Sequence, residues 1–130
     1  MKFNGCNPFS PEKPTIEISY SGKVWDLHND AEFLGFSYIV KAKAISLKWR
    51  YYYEAEGGLL NEVITLEFLD VAEFEVKSRD RAMPYSEDDC LSEMIYFADK
   101  NIFVLKFQGG QELRVSSEEM SWKKGHITFE

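Results

Sequence analysis

The chain has 130 residues, 45% of them hydrophobic and 15% aromatic, enough to bury one compact core and too few for a multidomain enzyme. With 22 acidic against 15 basic residues its formal charge is -7, so it lacks the basic footprint of a nucleic-acid binder and disfavours an anionic membrane surface. Cys6 and Cys90 stand far apart without zinc-ligand spacing, and no apolar run approaches the roughly 18 residues of a membrane helix, which predicts a soluble protein of a reducing compartment.

Pro8, Pro11 and Pro14 fall within residues 1–14, which are expected to form an irregular N-terminal arm ahead of a single β-rich domain over 15–130. Phe3 and Asn4 cannot supply the apolar segment of a secretory signal, so export is not expected and the cytoplasm is. Thr15 to Tyr20 alternates with period two and predicts a first strand, closed by a turn at Ser21-Gly22. Val24 to Leu27 predicts a short second strand, followed by turn and capping side chains at His28-Asn29-Asp30.

Phe33 to Val40 is mostly apolar, β-branched or aromatic and predicts a strand; a short helix near Asp30 to Phe36 is the alternative. Ala44 to Tyr53 is the clearest strand. Ile45, Leu47, Trp49, Tyr51 and Tyr53 share one face, and Ser46, Lys48, Arg50 and Tyr52 share the other. Glu54 to Gly58 predicts the connection of a long hairpin. Val63 to Phe68 and Val71 to Lys77 predict a strand pair, or one strand with a bulge near Leu69-Asp70.

Ser78 to Asp89 predicts a surface loop. Leu91 to Phe97 and Ile102 to Phe107 predict a hairpin, and Gly109-Gly110 a further turn. Leu113 and Val115 extend the sheet, which Ile127 and Phe129 would close. Ser116 and Glu119 have capping-box spacing, so a helical turn carrying Met120 and Trp122 is an alternative there. The expected fold is mainly β: an antiparallel sandwich or partly closed barrel of about eight short strands, with at most one or two helical turns.

Candidate chemistry is sparse. His28 lies between Asp26 and Asp30, a setting that would orient an imidazole, yet these residue types dominate turns for local reasons. Cys90 follows Glu87-Asp88-Asp89, whose charges disfavour the thiolate, and that acidic run lacks the spacing of a calcium loop. Neither glycine pair has the lysine and helix of a phosphate loop, and no cofactor motif is present. Lys48 to Tyr53 interleaves aromatics with cations, as base-stacking sheets do, but Trp49, Tyr51 and Tyr53 share the period of Ile45 and Leu47 and extend the core.

Charge is the more useful cue. Residues 1–65 carry 7 basic and 8 acidic side chains, and residues 66–130 carry 8 and 14. Glu73 and Glu75 lie on one face of a strand whose other face carries Phe74 and Val76. With Glu67 and Asp70 they predict an acidic surface able to steer a basic protein partner, against the alternative that the charges serve solubility alone.

The order of segments also resembles a known plan. Leu27-His28-Asn29-Asp30-Ala31-Glu32-Phe33-Leu34, Ile45-Ser46-Leu47-Lys48-Trp49 and Ile64-Thr65-Leu66-Glu67-Phe68-Leu69-Asp70-Val71, closed by Leu113-Arg114-Val115 and Met120-Ser121-Trp122, are similar to small bacterial β-rich proteins that include immunity proteins of polymorphic toxin systems. The likeness spans about residues 24–122 through short motifs, and Asn29 departs from their His-Asp-Ser form. It implies a non-enzymatic binder that neutralises a toxin, with no catalytic residue to carry over. The competing expectation is a small-molecule-binding barrel with Trp25, Trp49, Tyr51 and Tyr53 lining a pocket.

Overall fold

The computed structural model describes residues 1–7, 12–55 and 58–126. Ten strands follow one another: β1 (Lys2–Asn4), β2 (Cys6–Asn7), β3 (Glu17–Tyr20), β4 (Lys23–Asp26), β5 (Ala31–Ile39), β6 (Ala44–Ala55), β7 (Gly58–Lys77), β8 (Leu91–Phe97), β9 (Ile102–Phe107) and β10 (Glu112–His126). Among the described residues the only helical element is a 3-10 turn at Tyr85–Asp89, so no helix there is long and apolar enough to cross a membrane.

Seven strands form one sheet in the order β5-β6-β7-β10-β9-β8, antiparallel throughout, with β1 added parallel to β10 beside Glu119–Ser121. It curls into a half-barrel. The remaining three make a small sheet, β2-β3-β4. The clean alternation of β6 fits its place between β5 and β7: Ile45, Leu47, Trp49 and Tyr51 are buried, whereas Lys48 is exposed and Ser46, Arg50 and Tyr52 are half-buried. The small sheet covers the same core, with Ile18 and Trp25 fully or nearly fully buried and the Trp25 ring 4.7 Å from Tyr51 and 5.6 Å from Trp122.

The ladder of β7 with β10 carries an irregularity. Asp70 adopts a left-handed backbone, φ 54°, and the register slips between Ser116 and Ser117, leaving Ala72 without an opposite residue on β10. The bulge predicted near Leu69-Asp70 is therefore present within one strand of 20 residues. Such a bulge bends a strand and strengthens its twist, which lets β7 leave β6 and follow β10.

Three expectations change. Residues 1–14 are not wholly irregular: Lys2–Asn4 pairs with β10 and Cys6–Asn7 with β3. All three prolines of that segment follow Asn7, so nothing prevents the first seven residues from donating to a ladder. Neither helical alternative forms, since Asp30–Phe36 lies largely in β5 and Ser116–Glu119 in β10. A ladder on both sides of β10, with Met120 and Trp122 buried, outweighs the local capping preference of Ser116. The strands are also longer and more numerous than eight short ones: β7 has 20 residues and β10 has 15. Ile127 and Phe129 lie outside the described residues.

Candidate functional site

The four predicted acids all lie on β7, but the strand divides them. Glu67 is on the outer face of the half where β7 runs between β6 and β10, and Lys123 neutralises it at 3.3 Å. Asp70 forms the left-handed kink, a conformation that a short polar side chain tolerates better than most. Glu73 and Glu75 stand beyond it, exposed, opposite Ser116 and Arg114 of β10. Among the described residues Asp70, Glu73 and Glu75 make no ion pair, whereas Glu62, another acid of this region, is buried 4.0 Å from Lys124. Six residues separate Glu67 from Glu73, about 20 Å along a strand. The acidic surface thus narrows to Glu73 and Glu75, with Asp70 at its border.

These two carboxylates line a surface groove of about 510 Å³ together with Tyr38, Phe74 and Arg114. Phe74 and Val76, facing the other way, remain 40% and 39% exposed, and the Phe74 ring packs 4.7 Å from Tyr38. In an ordinary antiparallel strand one face would be covered; here every residue from Ala72 to Lys77 is exposed.

A second cluster brings together residues that the sequence keeps 62 positions apart. The Asp26 carboxylate accepts the backbone N–H groups of His28 and Asn29 at 2.9 and 2.8 Å and the Asn29 side-chain amide at 2.8 Å. Burial opposes its ionisation, but these donors outweigh it and hold Asp26 below the usual carboxylate range. The turn so fixed presents the His28 ring to β8, where Nδ1 lies 2.6 Å from the Leu91 carbonyl and 3.4 Å from the Cys90 sulfur. A carbonyl only accepts, so Nδ1 carries a proton and cannot take one from Cys90. Burial, then the charges of Glu87 and Asp89, push the Cys90 thiol up. The contact resembles a nucleophile-base pair in distance alone. Its polarity is that of a donor holding a turn against β8.

The aromatic residues proposed to line a pocket are packed. Trp25, Trp49 and Tyr51 are at most 4% exposed, and Tyr51 donates its hydroxyl to Asp30 at 3.2 Å, while the side chain of Tyr53 lies outside the described region. Lys23 sits 4.0 Å over the Trp25 ring and closes that cluster from outside. The run Glu87-Asp88-Asp89 belongs to the 3-10 turn, where Asp88 accepts from Arg79 at 2.8 Å. Arg79 also donates to the Met83 carbonyl at 2.8 Å, so this acid ties down the loop after β7. No protein-family model, curated protein or solved structure matches the chain.

Proposed function

We propose that the protein is a non-enzymatic binding protein of the immunity type, acting in the cytoplasm, whose acidic surface meets and neutralises a basic protein toxin. The observation that carries this reading is the pair Glu73 and Glu75, exposed and not ion-paired among the described residues, on a stretch of β7 where every side chain from Ala72 to Lys77 reaches solvent. Carboxylates placed this way raise the encounter rate with a cationic surface and repel an anionic one. Nucleic acid is a poor partner for a chain of net charge -7. The resemblance of residues 24–122 to bacterial immunity proteins supports the same class, and the proton on His28 Nδ1 leaves Cys90 without a base from that ring.

The test uses two baits, the natural chain and a Glu73→Lys/Glu75→Lys variant, in native lysate at low and moderate salt, with captured proteins identified by mass spectrometry. One basic protein, retained by the natural chain at low salt and lost both with salt and with the variant, is the expected result. That protein should then be toxic when produced alone and harmless with the natural chain. Equal capture by both baits would remove Glu73 and Glu75 from the interface.

A further inference from the structure

The edge of β7 specifies how such a partner binds. Resting on the reading above, we propose that Val71–Lys77 accepts an extended segment of the basic partner as an added strand, with lysine or arginine at alternate positions and apolar residues between them. β6 begins at Ala44, and its ladder with β7 reaches only the pair Ile45 and Phe68. The Lys43 carbonyl takes the Val71 N–H at 2.9 Å, and from there to Lys77 the strand is paired with β10 on one side alone among the described residues. Seven residues give about 20 Å of edge, the length of an ordinary strand.

The other ends of the large sheet are treated differently. On β8, Thr15 exchanges both backbone hydrogen bonds with Met94, and Glu12 donates to the Tyr96 carbonyl, so residues 12–15 cover that edge. On β5 the register slips between Phe33 and Gly35, and Gly35 has φ 134°, which breaks the regular row of donors and acceptors. Among the described residues the edge of β7 beyond Val71 is uncovered, and its one irregularity is the unpaired Ala72 at the start, after which Glu73–Lys77 run on in regular register. The groove of about 510 Å³ crosses this stretch onto β10 and β9 at Arg114 and Ile102.

Charge favours a basic occupant. If a second copy paired antiparallel about Phe74, Glu73 would stand opposite the copy's Glu75 on both sides of the axis. Centring the pair on Glu73 would put identical carboxylates face to face; centring it on Glu75 would do so once but would set each Glu73 opposite the copy's Lys77. Like charges directly opposite destabilise a strand pair, so self-pairing is opposed in the registers centred on Phe74 and on Glu73, whereas a segment that sets a cation against each of Glu73 and Glu75 meets attraction at both. A segment with cations two residues apart matches Glu73 and Glu75, and the residue between them faces Phe74 beside the Tyr38 ring.

The proposal is tested with the full chain and synthetic nine-residue peptides of alternating lysine and valine. Two derivatives carry backbone N-methyl groups, one on the odd residues and one on the even, so that each loses the donors of one edge while keeping charge and composition. The unmodified peptide should slow amide exchange within Ala72–Lys77. One N-methylated form should bind like the parent and the other at least tenfold more weakly. If both N-methylated forms bind like the parent, with salt-sensitive affinity and no slowed amides, strand addition is wrong while acidic attraction stands. Slowed exchange in Ala31–Ile39 instead would move the site to β5 and overturn the proposal. If no peptide binds at low salt, both strand addition and the attraction itself fail.

Discussion

Phe68 and Phe74 lie on the same strand, six residues apart, and truncating each in turn measures how open β7 is. Phe68 is 0% exposed, stands between Ile45 of β6 and Met120 of β10, and meets the Phe103 ring edge-on at 5.4 Å. Removing a ring held from every side leaves a cavity, and Phe68→Ala should cost about 3–5 kcal/mol. Among the described residues Phe74 has a strand on one side only, and 40% of its surface is already in water. Full burial of such a side chain is worth about 2–3 kcal/mol, so Phe74→Ala should cost only about 1–2 kcal/mol, part of it from the lost ring contact with Tyr38. For a chain of this size 1 kcal/mol moves the midpoint by about 3–5 °C, which separates the variants by several degrees. Urea unfolding supplies the free energies, and an unchanged slope in both variants shows that the same transition is being compared. A loss for Phe74→Ala equal to that for Phe68→Ala would mean that the end of β7 is enclosed, and the reasoning about its edge would fall with it.

Asp70 should matter for its backbone more than for its charge: Asp70→Asn should change stability by less than about 0.5 kcal/mol, and Asp70→Val should cost about 1–2 kcal/mol because a branched side chain resists φ 54°. Chemical denaturation of both variants checks this, and equal losses would refute it. Asp26, whose ionised form is favoured in the folded chain, contributes stability above the unfolded carboxylate pKa of about 3.9 and loses it as pH falls through its lower folded value. Asp26→Asn should therefore cost about 0.5–1 kcal/mol at pH 7, allowing for solvent screening, and nothing attributable to this charge at pH 2; a constant difference across that range would rule out the titration. Burial raises Cys6 to about 11, so at pH 8 its thiolate is roughly one part in a thousand, and Cys90 is also shifted up. Iodoacetamide followed by mass spectrometry should modify both more slowly than free cysteine, with Cys6 the slower, whereas a Cys90 faster than free cysteine would show that His28 acts as its base.

The strands that keep a strict period were legible, and those that break it were not. β6 buries Ile45, Leu47, Trp49 and Tyr51 in unbroken alternation, the pattern that defines a strand with one wet face. β10 buries Leu113, Val115 and Ser117, then Met120 and Trp122, an odd step that no regular strand can place on one side. That step falls between Ser117 and Met120, opposite the left-handed Asp70 of β7, so it arises from pairing with β7, not from any residue type within β10. The acidic, serine-rich stretch Ser116–Glu119 consequently looks like a capped turn when read locally. β1 and β2 are too short to show a period at all; they exist because β10 and β3 offer them edges.

The candidate site divides along the same line. That Glu73 and Glu75 share a face opposite Phe74 and Val76 follows from alternation, but the neutralisation of Glu67 depends on Lys123, 56 residues away, and the His28 contact with Cys90 on a turn meeting β8. The open edge depends on strand lengths. Ala55 pairs with Gly58, so the hairpin starts both strands together, and β6 is spent after 12 residues while β7 has 20. The tight turn at Val40–Lys43, with Lys43 at φ 49°, sends the chain back into β5 at Ile39. β7 must then overhang its partner, and β10 can support only one side of the overhang. Glu73 and Glu75 lie on that overhang, exposed and without an ion pair among the described residues, because the strand that would have run beside them turned away at Lys43.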